Sequence, residues 1–182
     1  VTILDDLSSG HMSSVPDEAR FVKGDVLDPK ALSEVFATKP RWVFHMAALF
    51  ANQLSVEHPE RDLMVNGLGT LRVLEASRLN QAEKVLYCSS SCIYGAKERM
   101  LEDDPERELD TPYAITKNLG EHYAQFWVEH HKLDVVITRL FNCYGPGEMP
   151  GRYRNVIPNF FDLAWQRKPL VITGTGDETR DF

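Results

Sequence analysis

The sequence predicts an α/β fold with a doubly wound parallel sheet, on three observations. Short apolar runs alternate along the chain with longer amphipathic ones. The run Trp42-Val-Phe-His-Met-Ala-Ala48 is apolar almost throughout, as suits a parallel strand buried on both faces. Asp5, Asp25, Ala47, Ser90 and Asn142 each follow such a run, at the carboxyl ends where sheets of this kind hold ligands.

The elements follow in order. Val1-Thr-Ile-Leu4 reads as a strand closed by Asp5-Asp6, and Arg20-Phe-Val-Lys23 as a second closed by Gly24-Asp25. Asp28 followed by Pro29 is a helix start, a side-chain cap and then a residue whose φ is already helical. That helix continues through Leu32, Val35 and Phe36, and Pro40 stops it. Glu60 to Leu79 carries Leu63, Met64, Leu68, Leu71 and Leu74 at helical spacing and predicts one long helix. Lys84-Val-Leu-Tyr-Cys88 is the next strand, Pro112 to His131 a long helix, and Asp134-Val-Val-Ile-Thr138 another strand. Asn155 to Arg167 is a helix, and Pro169-Leu-Val-Ile-Thr173 a last strand. The acidic, polar stretch from Ala96 to Thr111 is long enough for a surface excursion near a site.

Bulk properties set limits. The 182 residues suffice for one substantial core, and 43% hydrophobic with 26% charged content is ordinary for a soluble globular protein. A net charge of -7 argues against a nucleic-acid partner, which wants a basic face. It leaves room for a diphosphate, which backbone amides and one arginine can hold. Cys88, Cys92 and Cys143 make neither a CxxC pair nor a zinc pattern, so no metal is expected and the thiols are expected reduced. No apolar run is long enough to span a bilayer and none reads as a secretory leader, so the expected compartment is the cytoplasm.

The chemistry concentrates in Tyr113-Ala-Ile-Thr-Lys117 and, upstream, Ser89-Ser90-Ser91. Residues four apart share a helix face, so Tyr113 and Lys117 can act on one atom. A phenol is a poor base at neutral pH, and a nearby ammonium is expected to lower its pKa. A serine at a strand end can hold the same oxygen. Together they make a proton-transfer device for an alcohol becoming a ketone. His45, mid-strand, reads as a hydrogen-bonded core residue. A dinucleotide fold ordinarily opens with a strand and a Gly-rich turn, and no GxGxxG or GxxGxxG occurs in this chain. The expectation is an internal piece of a larger enzyme, with residues 1–150 a partial dinucleotide-binding domain and 151–182 the beginning of a substrate-binding lobe.

These residues resemble the extended short-chain dehydrogenases/reductases of the nucleotide-sugar epimerase and dehydratase type. The blocks that carry the resemblance are Leu4 to Gly10, Gly24-Asp-Val26, Phe44 to Leu49, Asn66-Gly-Leu-Gly-Thr70, Ser89 to Gly95, Tyr113 to Lys117, Arg139 to Pro146, Asn155 to Pro158 and Gly174 to Phe182. YxxxK alone is a weak signal; these blocks in the family's order are a strong one. The resemblance implies a Rossmann-like domain that binds NAD, and a nucleoside diphosphate sugar as substrate. It implies that Asp5 accepts from the adenosine ribose hydroxyls, with Asp6, Leu7, Ser8, Ser9 and Gly10 continuing the contact. Asp25 and Val26 would clamp the adenine, and Ala47, Ala48 and Leu49 would let the backbone pass close to the cofactor. Asn66 would support the loop near the nicotinamide, and Phe141 would also touch the cofactor. Taken alone, the aspartates read as turn residues, the small apolar residues as core, and Asn66 as a satisfied buried amide.

In the implied reaction, Tyr113 removes the proton of the sugar C4 hydroxyl, Lys117 stabilises the phenolate and holds the nicotinamide ribose, and Ser90 or Ser91 bonds the reacting oxygen. Substrate contacts would come from Ser91, Asn142, Asn155 and Val156, with Arg180 on the diphosphate. Ser91 and Cys92 stand where dehydratases and decarboxylases of the family carry an acidic residue, which favours a 4-epimerase acting on a UDP- or dTDP-hexose. Cys92 as an acid/base would instead fit a 3,5-epimerase, and dehydratase, decarboxylase or reductase relatives stay open. From another class, the chain reads as an inactive fragment or a partner-binding remnant. Family members commonly dimerise through two helices per subunit, here Pro59 to Leu79 and Pro112 to His131, which implies a homodimer with a four-helix interface.

Overall fold

The computed structural model describes every residue except 51, 98, 105–107, 173, 180 and 182. The chain divides into two units, Val1–Arg139 and Leu140–Phe182.

Among the described residues, the strands and most of the helices lie in the first unit, with the last strand ending at Leu140 just past it. β1 (Thr2–Asp5) and β2 (Arg20–Lys23) pair in parallel, Thr2 against Arg20 and Asp5 against Lys23. β3 (Trp42–His45), β4 (Lys84–Ser90) and β5 (Val135–Leu140) form a second sheet in that order, with β3 and β4 parallel and Trp42 opposite Lys84. α1 (Pro29–Phe36) starts as the sequence requires: the Asp28 carboxylate accepts from the Lys30 amide at 2.8 Å, and Pro29 takes the first turn. α2 (Asn52–Glu57) is short, and the sequence gives no cap or long period to announce it.

The stretch read as one helix is three segments. α3 (Pro59–Asp62) passes into a π-helical segment (Leu63–Leu68) and then into α4 (Gly69–Leu79). Apolar spacing does not distinguish a π turn from an α turn over six residues. α5 (Pro112–His131) has the predicted bounds. Thr111 caps it by accepting from the Ala114 amide at 3.2 Å, and Lys132 ends it in the left-handed region with φ 57°. Gly120 lies where α5 crosses β4; a Cβ there would overlap the Tyr87 phenol.

Two apolar clusters fill this unit. Leu32 and Phe36 of α1 pack with Val26, Val65 and Val73, with Leu4, Val43 and Ala47 against them. Leu74, Val85, Trp127 and Leu133 join α4, β4 and the end of α5.

Two expectations are corrected. The run from Trp42 is not buried on both faces: Trp42 is 62% and Phe44 65% exposed, while His45 is buried. Only alternate residues of β3 reach the core, because a strand turns successive side chains to opposite sides. Residues 169–172 form no strand; Leu170, Val171 and Ile172 are exposed, and an apolar run without a partner strand has no ladder to join. In the second unit, α6 (Val156–Trp165) follows Asn155 at its N-cap. Among the described residues no helix is long and apolar enough to cross a membrane.

Candidate active site

A groove opens at the carboxyl ends of β1, β2 and β3. It is lined by Asp5, Asp6, Ser8 and Ser9 after β1, Gly24, Asp25 and Val26 after β2, and Ala47, Ala48 and Leu49 after β3. Each carboxylate is fixed by its own turn. Asp5 Oδ1 accepts from the Leu7 amide at 2.7 Å, Asp6 Oδ1 from Ser8 at 2.8 Å, and Asp25 Oδ1 from Leu27 at 2.8 Å. Leu7 takes φ 60° to close its turn, and Gly10 packs so tightly on Asp5 that a Cβ would stand 3.1 Å from Oδ1. Burial works against the Asp6 carboxylate, but the Ser8 bonds and the Arg61 charge hold it below the usual range. Arg61 also lines the groove and was not anticipated; a lone Arg in Pro59-Glu-Arg-Asp62 reads as a solvated helix residue. Acceptors beside small side chains fit the hydroxyls, amine and flat ring of an adenosine, so these residues suit that half of NAD.

At the end of β4 a second cluster forms. Tyr113 and Lys117, on one face of α5, are 6% and 4% exposed. Lys117 Nζ lies 5.6 Å from the centre of the Tyr113 ring and donates to the Cys88 carbonyl at 2.8 Å. Ser90 stands near the Tyr113 phenol, and its Oγ accepts from the Cys92 amide at 3.2 Å. Ser89 turns the other way, donating to Glu121 at 2.6 Å. Ser91 opens the 3-10 turn Ser91–Tyr94. Cys92 is half-buried, and Asn52 donates to its Sγ at 3.5 Å. The Tyr113 amide donates to Ser55 Oγ at 3.1 Å, and Phe50 meets the Tyr113 ring edge to face at 6.1 Å.

The electrostatics correct one expectation. Lys117 does not bring the Tyr113 phenol down. Burial pushes the phenol above its ordinary value, Cys92, Asp62 and Cys88 add to that, and the nearby Ser90 hydroxyl opposes it. The ammonium sits over the ring with its bond given to a carbonyl, and burial lowers Lys117 itself to about 8. His45 is a neutral core residue: burial, with the Lys117 charge, lowers it to about 3. Its Nε2 donates to Thr70 Oγ1 at 2.9 Å, since the Thr70 hydroxyl is given to the Asn66 carbonyl at 2.6 Å.

Asn66 joins the two clusters. It is buried in the π-helical segment, accepts from the Leu49 amide at 2.8 Å and donates to the Leu49 carbonyl at 3.1 Å. Phe141, Asn142, Asn155 and Val156 belong to the second unit. There Asn142 Nδ2 donates to the Asp181 carbonyl at 2.8 Å, Asn155 Nδ2 donates to Glu148 at 3.4 Å, and Val156 is exposed at the start of α6. Arg180 lies outside the described residues. Asp62, Thr116 and Ser55 complete the buried surroundings of Tyr113, with the exposed Asn52 bonded to Cys92 and Thr111, and none of them was anticipated, since their partners are distant in sequence.

Comparison with known proteins fits this arrangement. The chain is 34% identical to the UDP-glucose 4-epimerase of Mycolicibacterium smegmatis over 98% of its length and 59% of that protein. It is 33% identical to the dTDP-D-glucose 4,6-dehydratase of Bos taurus over 90% of its length and 46% of that protein. The solved structure of an epimerase from the methanogen Methanothermobacter thermautotrophicus superposes with a TM-score of 0.95 at 50% identity, covering 99% of this chain and 55% of that one. The chain thus spans about 60% or less of the length of these relatives. Parallel strands, strand-end aspartates and a Tyr–Lys helix run together through residues 1–182, the span matched by the family profile, and the chain belongs to the NAD-dependent epimerase/dehydratase family.

Proposed function

We propose that this chain is part of an NAD-dependent nucleotide-sugar 4-epimerase acting on a UDP- or dTDP-hexose. The observation that carries the reading is the meeting of Tyr113, Lys117 and Ser90 at the end of β4. NAD, held by the groove residues, would supply reversible hydride transfer at the sugar C4. The residues do the rest. Tyr113 takes the C4 hydroxyl proton as the C–H bond breaks and gives it back when the alcohol reforms. Ser90 holds the reacting oxygen in line with the phenol. Lys117, freed from the Cys88 carbonyl or sharing its donors with it, faces the phenolate. Because the phenol is high here, the reading requires a positive charge or a further hydrogen-bond donor at the phenol oxygen when the ligands are bound. Asp5, Asp25 and the Ala47–Leu49 strap hold the adenosine. A homodimer through α3–α4 and α5 belongs to the same reading.

The test is product stereochemistry from the full-length protein offered UDP-glucose, UDP-glucuronate, dTDP-glucose and GDP-mannose. Inversion at C4 is expected, with Tyr113→Phe reducing kcat by ~10²–10⁴-fold; a fully active Tyr113→Phe refutes the base assignment. One observation favours a second reading: Cys92 stands beside Tyr113 and Lys117. Cys92→Ser leaves a C4 flip nearly unchanged and cripples a 3,5-epimerase. Against both stands the inactive-fragment reading, which a lack of any thermal shift at millimolar NADH supports.

A further inference from the structure

Arg139, near the end of β5, is used by nothing in that scheme, yet it completes a polar chain that starts beside Ser90. Ser89 Oγ donates to Glu121 Oε1 at 2.6 Å. Glu121 is buried four residues past Lys117, on the same face of α5. Arg139 Nε and Nη2 each donate to that carboxylate at 2.9 Å, a bidentate pair.

The pair alone would be ordinary core support, but the guanidinium reaches further. Its Nη1 donates to the Tyr94 hydroxyl at 2.7 Å and to the Glu102 carbonyl at 2.9 Å. Tyr94 closes the 3-10 turn that opens at Ser91 and carries Cys92, and this turn packs on α5. Glu102 lies in the excursion that follows. The start of the turn is held separately, by the Cys92 amide on Ser90 Oγ and by Asn52 on Cys92 Sγ. Its far side is closed by the Glu108 amide on the Ile93 carbonyl at 3.3 Å, with Gly95 at φ 66° leaving room for the Glu108 side chain. Arg139 is the side chain that ties this turn to β4, α5 and β5 at once. It does so with four bonds from three nitrogens of one plane, which a lysine with three donors on one atom cannot reproduce.

We propose that Arg139 is a positioning residue that clamps the Ser91–Tyr94 turn to α5 and so holds Ser91 and Cys92 in place at the Tyr113 centre. The catalytic consequence rests on the Tyr113-centred reading; the clamp itself does not.

The experiment treats the full-length protein with iodoacetamide at fixed pH and follows each thiol by peptide mass mapping. Cys92, half-buried in the turn, reports the clamp, and Cys88, buried on β4, reports general opening. In Arg139→Lys, Cys92 is expected to react about 10-fold faster while Cys88 keeps its wild-type rate. Tyr94→Phe removes one hydroxyl and leaves the Glu121–Arg139 pair whole, so it decides alone if Arg139→Lys does not fold; there Cys92 is expected to react about 3-fold faster. An unchanged Cys92 rate in the folded variants overturns the proposal. So does Cys88 rising in step with Cys92, which marks core support and no clamp. In the same variants KM for UDP-glucose is expected to rise about 5-fold, with NADH affinity unchanged by calorimetry, because the groove lies at other strands. An equal loss of NADH affinity marks general damage and overturns the proposal. A faster Cys92 with an unmoved KM supports the clamp and counts against Ser91 and Cys92 as substrate neighbours. The thiol rates decide the clamp even where UDP-glucose is not turned over, an outcome that counts against the proposed function instead.

Discussion

The groove and the Tyr113 centre are built in opposite ways. In the groove, the carboxylates of Asp5, Asp6 and Asp25 are held by amides two residues on, so each turn is made by its own short sequence. Around Tyr113 the bonds span 29 residues from Lys117 to Cys88, 54 from Thr116 to Asp62, and 58 from Tyr113 to Ser55. A site of local turns holds its shape one turn at a time. A site of distant contacts exists only once the sheet and α5 have docked, so its chemistry and its folding are one event. The burial that docking brings also displaces the titrations of His45, Tyr113 and Lys117.

That contrast can be broken or sharpened by experiment. The largest effect is expected behind the Tyr113 centre, where Glu121 is 2% exposed and pairs with Arg139 at 2.9 Å. Glu121→Ala leaves Arg139 without its partner and is expected to cost about 3–5 kcal/mol of stability in urea unfolding; a loss near zero would erase the distinction. Next comes acid. The His45 imidazole is depressed to about 3 when folded, against about 6.5 when unfolded. The unfolded chain therefore binds the extra proton between those values, and stability present above pH ~6.5 is lost as pH falls. Between pH ~6.5 and ~4.5 the loss is about 2–3 kcal/mol, and His45→Gln should flatten that part of the curve. In the groove, Asp5→Ala is expected to weaken NADH binding about 10-fold, by calorimetry, with the unfolding midpoint little changed because its turn is local. The smallest effect belongs to the exposed Arg41–Glu83 pair at 2.7 Å: Arg41→Ala should leave both midpoint and binding where they were.

The same contrast sets what could be read from the sequence. The Asp28–Pro29 start follows from a cap and a fixed dihedral, and the structure has it, as it has the predicted bounds of α5. The groove aspartates were legible because a strand-end Asp makes its turn with the next few residues. Asp62 was not: four residues from Asn66 in sequence, it gains its meaning from Thr116 on another helix. The exposed face of β3 was misread because an unbroken apolar run looks the same whether both faces or one is covered. The 169–172 run failed as a strand for want of a partner, which no local pattern supplies.

The π-helical segment makes the length of this region a fixed quantity. A wide turn holds one residue more than a regular one, so it acts as an offset between the helix before it and the helix after it. Deleting a single residue from Leu63–Leu68 would let the coil run evenly with its flanks in nearly their present phase, but it would remove the widened turn from which Asn66 reaches Leu49. Evolution or engineering can therefore exchange side chains in this stretch far more freely than it can add or remove a position.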